Sequence, residues 1–433
     1  MTGSPTPPGG GVERGIEKRE HLDYGWLVVG ASVLLLAGFL GTLLSFGVFL
    51  KPLQAQFGWS RAATSGAMSL CIAVQGLVGI VMGRFTDRHN MGFVVAIGTL
   101  AGAASYLLLS RINALWQFYL CFGVGAGICS GCAFIPVTAT VSKWFDEKRR
   151  TLALGVALTG VMIGQMVLSP VIDQVISRGD WRWGYVVAAV VVVVCGAPGL
   201  VIMSRRPPES SKSGPAHQRP RGDAISSGAR GYTVLEAAKT APFWMIIITA
   251  FVISCGFYVV MSQIVAHARD VGVAAGQASL VLTFNGVGSV AGGLLAWWFA
   301  KRLGHKRTLL IVLLGEGLAM FLFTITKEAW SFFLVVALFG FTYGTASPVR
   351  MSMIPPLFGL KSIGTMLGCT TFAWSIGGLV GPYFAGYVHD ATGEYLLAFL
   401  AGGALFVIGA LSVHFWGSHK KELQPDLLDE RAW

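Results

Sequence analysis

Residues 182–203 read RWGYVVAAVVVVVCGAPGLVIM, and residues 204–240 continue SRRPPESSKSGPAHQRPRGDAISSGARGYTVLEAAKT. The first stretch holds a single charge, Arg182. As a helix rising about 1.5 Å per residue it reaches about 33 Å, enough to cross a hydrocarbon core of roughly 30 Å. The second stretch, rich in Ser, Pro, Gly and Arg, reads as a polar linker. Five more apolar runs precede this junction, at residues 24–49, 62–84, 92–110, 115–142 and 151–176. Six follow it, at 242–268, 277–300, 307–326, 330–356, 362–388 and 395–417. The pattern predicts an all-α membrane protein with 12 transmembrane helices in two pseudo-symmetric six-helix halves, residues 23–203 and 242–417. A cytoplasmic linker at 204–241 joins the halves, a disordered cytoplasmic tail at 1–22 precedes them, and a cytoplasmic tail at 418–433 follows.

Composition agrees. Of 433 residues, 54% are hydrophobic and 12% charged, about half the charged share of a soluble domain, so most of the surface must face lipid. The seven cysteines (Cys71, Cys121, Cys129, Cys132, Cys195, Cys255, Cys369) all fall inside apolar runs, which argues against a disulfide framework; Cys129-x-x-Cys132 reads as helix packing rather than a metal or redox site. No apolar core precedes a small-residue cleavage site in the first 22 residues, so no signal peptide is expected. With both termini on one side, roughly 24 of the 32 lysines and arginines fall on that side and about 7 on the other, Arg350 alone being left within a helix. By the positive-inside rule both termini are cytoplasmic, in a bacterial-type inner membrane. The net charge of +11 is then a matter of topology and lipid headgroups, and no nucleic-acid partner is expected.

The two halves also repeat. Phe145, Gly155 and Gly164 recur 213 residues later as Phe358, Gly368 and Gly377, and Ser169-Pro170 recurs 212 later as Gly381-Pro382. Helices four and five thus match ten and eleven. Halves related this way enclose a central cavity lined mainly by helices one, four, seven and ten, suited to alternating access.

Particular residues carry a family likeness. Asp23-Tyr24-Gly25-Trp26, then Ser45-Phe46-Gly47-Val48-Phe49-Leu50-Lys51-Pro52 and Phe57-Gly58-Trp59-Ser60-Arg61, resemble the monocarboxylate transporter and oxalate/formate antiporter branch of the major facilitator superfamily. Trp144-Phe145 with Lys148-Arg149-Arg150, Leu152-Ala153, Gly155, Ala157 and Gly160 is similar to that branch's second signature. Gly83-x-x-x-Asp87-Arg88 resembles the superfamily's loop motif between helices two and three. The resemblance implies the major facilitator fold and a small organic anion as substrate, moved with a proton or in exchange for another anion. Such proteins carry an arginine in the eighth helix that grips the substrate carboxylate. Here Gly293 stands at that position, and Lys301 replaces the aspartate of the following loop motif.

Arg350, inside the tenth helix, is the most informative residue, because a charge there costs about 2.5–3.5 kcal/mol on insertion scales unless it faces protein, water or a ligand. Tyr343 and Ser347 share its face, and a guanidinium with flanking hydroxyls suits a carboxylate. Arg350 is therefore a substitute for the arginine missing at Gly293, or else a structural charge reaching toward the cytoplasmic end. Tyr258 and Asn285 are mid-membrane polar groups that contact either substrate or a neighbouring helix, and Gln75 is a weaker candidate of the same kind. Glu316, midway along the ninth helix, reads first as a structurally paired or neutral carboxyl and second as a proton relay. Asp23 is a helix cap on its residue type, and a proton site by the resemblance.

Gly83, Asp87, Arg88, Arg149 and Arg150 form either a set of topogenic loop charges or a cytoplasmic latch between conformations; Trp297 and Lys301 degrade the second-half copy and predict a one-sided latch. No phosphate-binding loop is present, so an ion or solute gradient must drive transport, and no cofactor or metal is called for. An enzyme is excluded by the lack of any His/Glu or Ser/Lys constellation in the helices. A sensor would need a signalling domain that neither linker nor tail can hold. An exporter of drugs or amphiphilic solutes ranks second, since Gly160-x-x-x-Gly164-x-x-x-x-Ser169-Pro170 lacks the proline-glycine pattern of drug antiporters. Substrate, protons and the bilayer are the expected partners of a monomer.

Overall fold

The computed structural model describes residues 24–59, 61–88, 90–205, 232–270, 280–326, 328–359, 363–392 and 396–416. Both tails, most of the linker and Asp23 lie outside them. All twelve expected helices are present: α1 (Tyr24–Leu50), α2 (Arg61–Arg88), α3 (Met91–Leu109), α4 (Leu115–Trp144), α5 (Glu147–Arg178) and α6 (Trp181–Ile202), then α7 (Ala241–Asp270), α8 (Leu280–Leu303), α9 (His305–Ile325), α10 (Ala329–Phe358), α11 (Ile363–Thr392) and α12 (Leu396–Trp416). Each contains a window apolar enough to cross a membrane, with mean hydropathy from 1.2 to 2.6. Large apolar side chains such as Leu100, Val201, Leu334 and Ile408 stand exposed on the outer faces, as they must where the solvent is lipid.

Helix ends follow local chemistry. The path of α1 overruns its predicted end at 49 and stays helical through Pro52 to Phe57. It stops at Gly58, whose φ of 66° suits glycine and satisfies the last carbonyls. One residue, Gly304 at φ 80°, turns the chain from α8 into α9. The Asn90 side chain caps α3 by accepting from Gly92 N–H at 3.0 Å. Asp180 caps α6, and the hydrogen bond from Arg182 holds its carboxyl below the usual range. Two helices are wound loosely mid-span, α1 at Ala37–Gly41 and α4 at Tyr119–Ala126, where π-type turns widen the spiral.

The sequence repeat reappears as repeated packing. In the first half α5 lies on α1: a Cβ on Gly164 would sit 2.6 Å from Ala37 Cα. In the second half α11 lies on α7, where a Cβ on Gly377 would sit 2.9 Å from Cys255 N. Both backbones approach so closely that only glycine fits. Phe145, closing α4, packs on Trp26 at 5.2 Å between ring centres; its counterpart Phe358, closing α10, packs on Phe243 at 6.4 Å. Across the halves the seams are reciprocal, α5 against α8 and α11 against α2.

The motifs that carry the family likeness touch one another. Tyr24 packs on Trp144 at 5.2 Å, its hydroxyl donates to the Ile202 carbonyl at 2.7 Å, and a Cβ on Gly25 would meet the Phe145 ring at 3.2 Å. These residues clamp α1, α4 and α6 together at the end of the bundle where the described chain begins and ends, called the terminal end below.

Candidate functional site

A cavity of about 100 Å³ lies between the halves, at mid-height in the bundle. The first half contributes a mostly apolar wall: Leu40, Leu43 and Leu44 from just at and after the loosened turn of α1, Phe134 from α4, Val161 and Met162 from α5. Gln75 and Thr159 are its polar members. The second half contributes rings and hydroxyls: Phe257 and Tyr258 on α7, Ser289 on α8, Tyr343 and Ser347 on α10, Thr371 and Trp374 on α11. Phe257 and Tyr343 stack at 4.2 Å, and Tyr343 and Trp374 meet at 6.0 Å. The Ser289 and Thr371 hydroxyls are buried without a hydrogen-bond partner, so each is free to serve a bound molecule.

Tyr258, Tyr343 and Ser347 therefore line the cavity as their sequence positions suggest, and Gln75 joins them. Gly293 lines it too, across from Gly155 on α5. Arg350 does not. It lies one turn beyond Ser347, 1% exposed, with Nε and Nη1 unpartnered, and its charge acts on Tyr343 and Glu316. Glu316, on α9 behind α10, is fully buried with neither carboxylate oxygen hydrogen-bonded. Helical side chains lean toward their own N-termini, and α9 and α10 run antiparallel, so these two chains lean toward each other. Asn285 is withdrawn from the lining: its Nδ2 is buried and unpartnered, and its backbone presses on Gly340 of α10.

At the terminal end the halves are shut. Gly83 packs against Gly364 of α11, where a Cβ would meet the carbonyl carbon at 2.7 Å. Asp87 and Arg88 end α2, with side chains outside the described residues. Arg150 is buried, its Nε donating to the Ser142 carbonyl at 3.2 Å, so it braces the α4–α5 turn within its own half; Arg149 is exposed. The degraded second-half motif does take part in closure, contrary to the one-sided expectation. Trp297 Nε1 donates across the seam to the Lys148 carbonyl at 3.0 Å, with Lys301 over its ring at 5.0 Å, and His305 Nε2 pairs with Thr151 Oγ1 at 3.0 Å. An indole replaces the expected glycine contact with a hydrogen bond of its own.

Sequence reasoning missed Ser289, Thr371, Phe257 and Trp374 in the lining. Ser289 follows Asn285 by four residues on one helix face, a spacing that could have pointed to it. The Thr and the rings resemble ordinary packing residues until a cavity is seen beside them.

The Major Facilitator Superfamily profile matches residues 29–268 and 246–431. The chain belongs to that superfamily. As a member it is a multi-pass membrane transporter and not an enzyme. It is 27% identical over 392 residues to monocarboxylate transporter 13 of Rattus norvegicus, covering 89% of this chain and 87% of the relative. It is 25% identical over 423 residues to monocarboxylate transporter 11 of Homo sapiens, covering 95% and 84%. Among solved structures, a bacterial homologue of the iron transporter ferroportin in an outward-facing state superposes with a TM-score of 0.71 at 12% identity, covering 91% of this chain and 99% of that one. That likeness is one of fold alone. The superfamily relatives place the sequence likeness in the monocarboxylate transporter branch.

Proposed function

We propose that this superfamily member moves a small organic anion of the monocarboxylate type across the membrane by alternating access, coupled to protons or to a counter-anion. The observation that carries the reading is the second-half wall of the cavity, where Tyr343 and Ser347 line the space and Arg350 stands one turn behind them with two guanidinium nitrogens unpartnered. A buried, unsatisfied guanidinium is costly and is relieved by an anion that can accept two hydrogen bonds. Arg350 then does the work that the family assigns to the position occupied here by Gly293. Ser289 and Thr371 supply neutral hydrogen bonds, and the leucines and rings accept the apolar body of the acid.

The seams support alternating access. The glycine approaches of α2 on α11 and of α5 on α8 let the halves rock as bodies, while Trp297, His305 and Thr151 close the terminal end. With the termini in the cytoplasm, as the lysine and arginine distribution directs, the described state is closed to the cytoplasm.

One observation favours a second reading, an exporter of neutral or amphiphilic solutes: no charged side chain lines the cavity among the described residues. Uptake of radiolabelled carboxylates into proteoliposomes separates the two. Saturable uptake of an acid, competed by other monocarboxylates, supports the first; transport of uncharged solutes alone supports the second.

A further inference from the structure

Among the described residues Glu316 has no hydrogen-bond or ion-pair partner and Arg350 lacks partners at Nε and Nη1, and the proposed function leaves the carboxyl, which the sequence offers as a structural acid or a proton relay, unused. Glu316 is fully buried, and both of its oxygens lack a hydrogen-bond partner. Arg350 is 1% exposed, and its Nε and Nη1 lack partners. Their charges act on each other, yet no direct ion pair joins them among the described residues. α9 lies on α10 with Gly315 against Thr342, which puts Arg350 about two turns from Glu316 along the antiparallel pair, and the two side chains lean toward each other along that offset. The surroundings offer Glu316 no other charge. α10 carries Arg350 and Tyr343 as its titratable groups. Where α12 passes, it presents Gly403 and Phe406, its one titratable residue being the exposed His414 at the terminal end. α8 has only Lys301 and Arg302, exposed in its last turn. Tyr343 stands between this couple and the cavity, lining the one and feeling the charges of the other.

We infer that Glu316 is an internal competitor for Arg350: when no substrate is bound its carboxylate balances the guanidinium's charge from across the α9–α10 contact, without a direct ion pair, and a proton on Glu316 frees Arg350 to grip a substrate carboxylate in the cavity. The inference rests on the anion-transport reading. Charge balance sets the order. In the empty carrier Glu316 is the counter-charge of Arg350. A proton entering from the open side neutralises Glu316, and the guanidinium then turns past Tyr343 to the incoming anion, so the loaded site again holds one positive and one negative charge. On the other side loss of the proton restores the Glu316 carboxylate, which takes Arg350 back and expels the substrate. One proton moves with each carboxylate, and proton and anion raise each other's affinity by the same factor, as linkage requires. The coupling residue therefore sits behind the tenth helix, away from the eighth helix, where Gly293 stands in place of the arginine that the resemblance implies.

The test is radiolabelled carboxylate transport in proteoliposomes with the full chain, in two modes: counterflow at equal pH on both sides, and accumulation driven by an inward proton gradient. In the parent, KM in counterflow rises about tenfold from acid to alkaline pH, and the gradient drives accumulation. Glu316→Gln imitates the protonated state. Its KM is expected to be low and independent of pH, with gradient-driven accumulation lost. Accumulation by Glu316→Gln equal to the parent's, or a KM that keeps the parent's pH dependence, overturns the inference while leaving anion transport intact. If Glu316→Gln does not insert, Glu316→Asp replaces it. Retained accumulation with a displaced pH midpoint is then expected, and an unmoved pH profile counts against the proposal. If the parent moves no carboxylate in either mode, the anion reading itself falls and takes the inference with it.

Discussion

The two walls of the cavity come from halves that repeat each other's packing, yet their chemistry differs. The first half presents Leu40, Leu43, Leu44, Phe134, Val161 and Met162, softened by Gln75 and Thr159. The second presents stacked rings, the unpartnered hydroxyls of Ser289 and Thr371, and behind them Arg350 and Glu316. Duplication fixes backbone geometry, because glycines at Gly164 and Gly377 are needed for the same helix approach. It leaves the lining free to diverge. One half presents a mostly apolar surface and the other, in the proposed reading, the recognising surface, so substitutions at similar depth should have unequal effects on the two sides.

The largest effect is expected at Arg350. Arg350→Ala removes the anion's charged partner and should lower carboxylate kcat/KM by ~100-fold, measured as initial uptake rate against concentration. Gly293→Arg sharpens the comparison. A Cβ there meets Thr159 Cγ2 at 3.4 Å, an ordinary contact, so a side chain can leave toward the cavity. The double variant Arg350→Ala with Gly293→Arg should regain part of the lost uptake, about tenfold over Arg350→Ala alone, because the charge is restored from the neighbouring helix. Next comes Trp374→Ala, which opens the ring cluster and should raise KM about tenfold in the same assay. The smallest change is expected on the first-half wall. Gln75→Ala should alter KM by no more than about fivefold, since one neutral hydrogen bond contributes only ~1 kcal/mol. Equal losses from Gln75→Ala and Trp374→Ala would break the asymmetry.

Trp297→Phe probes the seam rather than the wall. It keeps the ring and loses the hydrogen bond to the Lys148 carbonyl, so the closed terminal end is destabilised by ~1 kcal/mol. The readout is accessibility of a cysteine introduced near that end, which should label faster in the variant.

The fold was legible because bilayer thickness imposes a length of apolar run, and because linker and charge asymmetry stand out against it. Misjudged helix ends fell where chemistry rather than lipid decides, as at Lys51 and Pro52, which stay helical until Gly58 supplies a left-handed turn. The site was half legible. Tyr343, Ser347 and Arg350 share a face by helical spacing, and the first two line the cavity; one further turn puts Arg350 behind it. Glu316, midway along the ninth helix, reads first as a structural acid, yet among the described residues neither of its oxygens has a partner. Trp297 illustrates the opposite case. A motif judged degraded by residue identity still closes the seam, because an indole N–H reaches a carbonyl across it.

The central claim is that the second half holds the substrate anion through Arg350. Its most direct test is binding of a radiolabelled monocarboxylate to purified, reconstituted parent and Arg350→Ala protein, alongside Gln75→Ala as the first-half control. The account predicts saturable binding in the parent and in Gln75→Ala, and its loss in Arg350→Ala. Undiminished binding by Arg350→Ala would contradict it and return the cavity to a neutral or amphiphilic solute.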